Sequence, residues 1–200
     1  GTAEQLKRDL TAEVCATLAF SAIKNNDKVG LILFTDRIEK FVPARKGPRH
    51  VLRVIRDLLY HDPQGHGTDI AAAFDHLNKV TTRRCVVFLV SDFQAVGYEQ
   101  PLRIARKRHD LIPICIHDPR ESVLPNVGLI ELMDAETGEL LVVDSASRHV
   151  RAQFADEALT TRTQREWLLR RMKVDSINVM TGQSFVEPLT RFFRAREARM

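Results

Sequence analysis

Val86-Val87-Phe88-Leu89-Val90-Ser91-Asp92-Phe93 is an unbroken apolar run that stops abruptly in Ser-Asp. A run of this kind predicts a strand buried on both faces, of the sort found in the middle of a parallel sheet. Asp92 then falls at the carboxyl end of that strand, where open α/β sheets place their ligands. A second segment points to the same chemistry: Gly65-His66-Gly67-Thr68-Asp69-Ile70, a glycine-flanked loop that opens a helix. A threonine hydroxyl and a carboxylate on two separate loops are suitable oxygen ligands for a hard divalent cation.

Outward from these two loops the chain reads as alternating helices and strands. Ala3 to Asn25 is a predicted helix with Leu6, Leu10, Val14, Leu18 and Ala22 recurring every four residues. Val29 to Phe34 is a predicted strand, followed by a turn at Thr35-Asp36. Arg37 to Val42 alternates polar and apolar as an antiparallel edge strand does. Gly47-Pro48 starts a helix striped by Val51, Leu52, Ile55, Leu58 and Leu59. Helices over Asp69–Val80 and Tyr98–Arg108 flank the central strand, Cys85–Val90, and Leu111 to Ile116 is a further buried strand ending near Asp118. Residues 128–133 and 139–143 bracket Asp134-Ala135-Glu136-Thr137-Gly138 as a predicted hairpin. A long helix follows over 145–173, capped by Ser145 or Ser147, then a short edge strand at 177–180 and a terminal helix over 185–199. The order predicts a doubly wound, mostly parallel α/β sheet with one antiparallel edge strand. No linker or repeat interrupts it, so residues 1–200 read as one domain, with 128–200 as its hairpin-and-helix extension.

Composition narrows the class. Of 200 residues, 44% are hydrophobic and 28% charged, as in a soluble globular chain. No stretch approaches the roughly 18 uninterrupted apolar residues of a membrane span. Three separated cysteines, Cys15, Cys85 and Cys115, suit a reducing cytoplasm better than a disulfide framework. The net charge of +4 is uneven: residues 1–144 carry 19 Lys/Arg against 20 Asp/Glu, residues 145–200 carry 11 against 6. That basic quarter raises a nucleic-acid alternative, but Tyr98 and Trp167 are too isolated for a base-stacking platform.

Enzyme signatures are weak. Cys115 lies inside an apolar strand, where an inert thiol is the ordinary finding. Ser91 is not in a Gly-x-Ser-x-Gly elbow, and nothing in the sequence ties His109 or His117 to either nucleophile. No Gly-x-x-x-x-Gly-Lys-Ser/Thr loop is present, and His61, Asp62 and His66 lack the further ligand that a zinc site requires. The expectation is a binding module, with an undetected hydrolase as a further alternative.

The sheet pattern, Thr68 in its Gly-Thr-Asp loop and Ser91-Asp92 after a buried strand resemble von Willebrand factor A-type domains. More closely, the chain is similar to the bacterial von Willebrand-like family catalogued as domain of unknown function fifty-eight. The likeness runs through Asp27-Lys28-Val29-Gly30-Leu31-Ile32-Leu33-Phe34, Pro43-Ala44-Arg45-Lys46-Gly47, Arg108-His109-Asp110-Leu111, Asp118-Pro119-Arg120-Glu121, Asp134-Ala135-Glu136-Thr137-Gly138-Glu139 and Arg191-Phe192-Phe193.

The resemblance implies a metal-ion-dependent adhesion site with Thr68 and Asp92 as ligands. Asp69, Ser91 and Asp118 are outer candidates. It also implies Mg2+ or Mn2+ as the ion, and a protein-interaction role alongside a MoxR-type AAA+ ATPase. The family's Asp-x-Ser-x-Ser motif is absent here, and Gly1-Thr2 is similar to the residues that follow it. The expectation is therefore a chain without its first central strand, with metal binding weak or lost.

Overall fold

The computed structural model describes residues 5–133 and 140–199. In chain order they form α1 (Lys7–Lys24), β1 (Val29–Phe34), β2 (Ile38–Arg45), α2 (Pro48–Leu59), α3 (Ile70–Val80), β3 (Val86–Ser91), α4 (Glu99–Arg108) and β4 (Asp110–His117). A single 3-10 turn, Pro119–Glu121, follows β4. The remainder is β5 (Leu129–Met133), β6 (Leu140–Asp144), α5 (Arg148–Arg171), β7 (Ile177–Met180) and α6 (Val186–Glu197). The Asp134–Gly138 turn and the Gly1-Thr2 segment lie outside the described residues.

The chain divides into two units. One comprises Gly1–Lys7, Phe88–Phe93 and Ile112–Met200; the other comprises Arg8–Val87 and Gln94–Leu111. In the second unit β1 and β2 form an antiparallel pair, with Val29 opposite Arg45 and Leu31 opposite Val42. β2 thus carries an extra residue opposite Gly30, and Pro43 sits in that bulge, where its missing N–H costs no ladder bond. Gly30 suits that close approach, because a Cβ would come within 3.1 Å of the Val42 carbonyl and the Ala44 nitrogen. α1 and α2 pack on this pair through Ala19, Val51 and Ile55, with Ala16, Ile23 and Val29 beside them.

The buried positions of α2 are Val51, Val54, Ile55 and Asp57, while Leu52 and Leu59 of the expected stripe are exposed. The reason is angular: each residue steps about 100°, so Leu52 and Leu59, seven apart, share a flank rather than the face of Val51. Likewise Leu6 precedes α1 and is exposed, whereas Leu10 and Val14 are fully buried.

The larger sheet has the order β3-β4-β7. β4 and β7 pair in parallel, Ile114 opposite Ile177 through His117 opposite Met180. The strand expected to be central and buried on both faces, β3, is not the middle strand of this sheet. β4, flanked on both edges, buries all six residues from Leu111 to Ile116, whereas β3 stands at one edge of its sheet and buries only Leu89. Flanking explains the difference, since a strand with neighbours on both sides has little surface left to show. Pro113 lies within β4 but ahead of the paired stretch, so β7 never asks it for an N–H. β1 and β3 belong to different sheets.

The last 72 residues add the antiparallel β5–β6 pair and α5, which is capped by the Ser147 hydroxyl accepting from the Val150 N–H. Ser145 serves elsewhere: it is buried, donates to the Gly128 carbonyl at 2.6 Å and accepts from the Val127 N–H. None of the described helices is long and apolar enough to cross a membrane.

Candidate functional site

In the unit that contains β1, the loop 61–69 is built around one carboxylate. Glu39, on β2 and 5% exposed, accepts from the Thr35 hydroxyl at 2.8 Å and the Gly65 N–H at 2.7 Å. The Gln64 N–H and the Arg37 guanidinium add longer contacts at 3.3 and 3.4 Å, and the His61 ring stands 3.6 Å away. The Thr35 hydrogen bond is the largest influence on this carboxyl. Together with the backbone donors it outweighs burial and holds the pKa down to about 2.

Gly65 is required by this arrangement, because a Cβ would strike the Thr35 hydroxyl and the Asp36 carboxylate and come within 3.0 Å of Glu39. Past it, Gly67 takes a left-handed φ of 75° that favours glycine. The Asp69 N–H donates to the Thr35 carbonyl at 2.7 Å, and its carboxylate caps α3 by accepting from the Ala72 N–H at 2.8 Å. Asp69 is thus the helix cap, and Thr68, half-buried, stands between two anchored residues.

In the other unit, Asp92 lies one residue past β3 and accepts from the Lys7 ammonium at 2.8 Å. Glu121 binds the same ammonium from the 3-10 turn. Burial pulls Lys7 down, but the hydrogen bonds to Asp92 and Glu121 outweigh it and leave its pKa above the ordinary lysine value. Ser91 turns its hydroxyl inward to accept from the Phe93 N–H at 3.0 Å, bracing a left-handed Phe93 with φ 57°. Such backbone conformations in a non-glycine residue need their surroundings to hold them.

Asp118 is almost fully buried and ties strand tips together. It accepts from the Thr181 hydroxyl at 2.6 Å and from the Arg120 N–H at 2.9 Å, while the Thr181 N–H donates to the His117 carbonyl at 3.0 Å. Burial alone would raise this carboxyl; the donors outweigh it and the pKa lies below the usual range.

Arg165, buried in the C-terminal half of α5, donates to the Asp92 carbonyl at 3.0 Å. It also approaches His117, whose Nε2 stands 3.0 Å from the Asn178 side-chain oxygen. Burial, with the nearby Arg165 and Arg162 charges, keeps the His117 pKa below its ordinary value despite Asn178. A neutral ring with Nε2–H donated to the Asn178 oxygen leaves Nδ1 as the acceptor for Arg165 at 3.4 Å, with the guanidinium lying nearer Nε2 at 3.1 Å.

Of the sequence candidates, Ser91, Asp92 and Asp118 fall in one unit and Thr68 and Asp69 in the other. Lys7, Glu121, Glu39 and Arg165 were not picked out from sequence. Asp118-Pro119-Arg120-Glu121 carried a readable signal for Glu121, since an acid three residues after a capping Asp reaches back to its N–H, here at 3.2 Å. Cys85 and His109 form a pair that sequence reasoning also missed, Sγ to Nδ1 at 3.4 Å. Burial raises the thiol and lowers the imidazole, which favours the neutral forms of both. Cys115 is pushed up to about 11 by burial.

Among the described residues no three His, Cys, Asp or Glu side chains are grouped to hold a metal. The oxygens at Asp92 nevertheless suit a hard cation in kind, because Asp92 and Glu121 already face one, the Lys7 ammonium.

A family profile described as "Protein of unknown function DUF58" matches residues 1–164. The uncharacterized proteins Rv1480 of Mycobacterium tuberculosis and Mb1516 of Mycobacterium bovis are each 29% identical over 201 residues, covering 98% of this chain. The chain spans 62% of the length of those relatives. Its fold is similar to the crystal structure of the conserved hypothetical protein BatB from Bacteroides thetaiotaomicron. The TM-score is 0.51 at 16% identity, over 94% of this chain and 89% of that one. An aerotolerance-related membrane protein from Bacteroides fragilis matches with a TM-score of 0.50 at 17% identity, over 84% and 80% of the two chains.

Proposed function

The chain belongs to the family of unknown function DUF58, and from that premise we propose that it is a protein-interaction module of von Willebrand A type rather than an enzyme. In this reading it acts in the cytoplasm with a MoxR-type AAA+ ATPase, in the assembly or remodelling of bacterial protein complexes. The observation that carries the reading is Asp92: a carboxylate 30% exposed at a strand tip, with its main chain pinned by Arg165 and its side chain by Lys7. A carboxylate held this way is presented to a ligand without further ordering cost.

Thr68 and Asp92 are the ligands the family resemblance proposes for Mg2+ or Mn2+, in an incomplete site that would hold the ion weakly or not at all in this chain. The ion would supply a coordination position that a partner's carboxylate completes. Protein is favoured over nucleic acid as partner because several cations of the basic C-terminal quarter are already engaged: Arg162 with Glu166, Arg191 with Glu187, Arg199 with Asp175. Arg171 and Arg196 lie over the Trp167 and Phe192 rings. A phosphate would have to displace these carboxylate partners before its own counterions were released.

The test is binding of the chain to a MoxR-type ATPase from the same bacterium, measured by interferometry with and without Mg2+. Binding that weakens in Asp92→Ala and in Thr68→Ala is the expected result. An Asp92→Ala chain that binds as the parent does, or a parent that never binds, overturns the reading.

A further inference from the structure

The β5–β6 ribbon is fastened at its base and bare along its length. Ser145, fully buried, donates its N–H and its hydroxyl to the Gly128 carbonyl at 2.8 and 2.6 Å. The same hydroxyl accepts from the Val127 N–H at 3.2 Å, and the Arg151 guanidinium donates to the Ser145 carbonyl at 2.6 Å. Beyond that base, Leu129, Leu140, Leu141 and Val142 are 74%, 65%, 63% and 61% exposed. By the pairing register, Leu129, Leu140 and Val142 share one face of the ribbon and Leu141 stands on the other. Contiguous apolar surface of this kind marks a place where another chain sits.

Among the described residues neither strand has a third strand beside it. A two-stranded ribbon is marginal in water, and a further strand is one ordinary remedy. The chain shows elsewhere how an edge is closed: the β1–β2 pair breaks register twice, and Lys40 and Pro43 lie on β2. The β5–β6 pair has none of these devices. It keeps one register from Leu129 opposite Asp144 to Met133 opposite Leu140, and neither strand contains proline or lysine. We propose that the β6 edge accepts an extended, basic and apolar segment of a partner protein as a third strand. The edge is that of β6 because Leu140, Leu141 and Val142 are consecutive and exposed, whereas Ile130 and Leu132 of β5 are half-buried.

Charge selects the occupant. Residues 129–144 carry five Asp or Glu and no Lys, Arg or His. Two of the acids, Glu131 and Asp144, are exposed on the strands themselves. A second copy of this ribbon would set like charges against one another, which destabilises a strand pair. A strand that alternates Lys or Arg with Val or Ile meets the acids with opposite charge and the exposed Leu and Val side chains with apolar ones. Main-chain hydrogen bonds supply affinity for any added strand, and the side chains supply the choice among strands. Because Ser145 and Arg151 already hold the base, strand addition orders little of this chain. The surface uses neither Thr68 nor Asp92, so it goes beyond the interaction reading and does not depend on it.

The test uses the whole chain and a labelled peptide of about ten residues, long enough to span a strand, that alternates Lys with Val. Binding is followed by fluorescence anisotropy. Three companion peptides serve as controls: one with Glu in place of Lys, one N-methylated at two adjacent central residues to block both of its edges, and a helix-forming peptide of equal charge. Binding by the first alone is the expected result. Val142→Lys, a change at an exposed position, should weaken that binding roughly three- to tenfold through one like charge and one lost apolar contact.

A second readout needs no variant. In the parent, saturating Lys-Val peptide should slow hydrogen exchange of those amides in residues 140–144 that do not already bond to β5, and this decides the matter if Val142→Lys does not fold. No binding of the Lys-Val peptide, or any control peptide binding as tightly as it does, overturns the proposal. Unchanged exchange over β6, or a folded Val142→Lys chain that binds as the parent does, overturns it equally. A parent that sediments as a dimer which Val142→Lys dissolves gives the edge to a second copy, and the basic partner strand is then wrong.

Discussion

Thr181 donates its hydroxyl to the Asp118 carboxylate at 2.6 Å, so that the residue after β7 is bonded to the residue after β4. Both are 2% exposed, and neither has water to fall back on. Thr181→Val keeps the shape and removes the donor. A hydrogen bond to a buried charged group is worth about 1.5–3 kcal/mol, and a loss of that size is expected in urea unfolding at neutral pH. Asp118 has a depressed pKa in the folded state, so its contribution is full above the unfolded carboxyl range and fades as pH falls through the folded value. The gap between parent and variant should therefore shrink on acidification. A gap independent of pH would count against this account.

Gly65→Ala is expected to cost about 1–3 kcal/mol by overpacking. The new methyl meets the Thr35 hydroxyl, the Asp36 carboxylate and Glu39. Urea midpoints measure the loss, and faster hydrogen exchange of the residue 65 amide should accompany it. An unchanged midpoint would mean that the loop shifts freely, contrary to the bonds Glu39 makes.

Glu39 should titrate near 2, well below an ordinary glutamate. Its lowered pKa gives a contribution present above the unfolded carboxyl range and lost as pH falls toward 2. Carbon-detected NMR of the Glu39 carboxyl, read together with the Gly65 amide shift, gives the midpoint. A midpoint near 4.3, the unperturbed value, would show that the clamp is not formed in solution.

Arg165→Met removes the donor to the Asp92 carbonyl and the cation beside His117. Loss of that neighbouring charge should raise the His117 pKa, which NMR of the ring protons reports. Stability should fall by about 1.5–3 kcal/mol. A His117 pKa that stays put would show that Arg165 has no part in setting it.

Periodicity and turn chemistry carried much of the element order. Pro48 opening α2, Asp69 capping α3 and the apolar runs of β3 and β4 are local signals, legible within a window of ten residues. The relative burial of β3 and β4 was not, because it depends on which strand has neighbours on both edges, and pairing is non-local. Asp92 was readable from its place after an apolar run. Its partners were not: Lys7 is 85 residues away and Arg165 is 73. Arg165 is the sharpest case, a charged residue in an exposed-looking helix that turns out buried. Glu39 looked like a polar residue in an alternating strand, and its partner Gly65 lies 26 residues on. Thr68 and Asp92 reside in separate units, and the family resemblance remains what joins them in one proposal.

The division of the chain also bears on the order in which it is made. The backbone passes between the two units after residues 7, 87, 93 and 111, so neither is a continuous stretch. On a ribosome the last segment of the β1-containing unit ends with Leu111, whereas the other cannot be completed until Ile112 onward has emerged. Phe88–Phe93 therefore waits for β4, and β4 in turn keeps a bare apolar edge until the chain has grown to Met180 at the end of β7. Transiently bare strands of this kind are where nascent chains aggregate. Truncation before β7 should therefore yield insoluble protein even though the β1–β2 pair and its helices are complete.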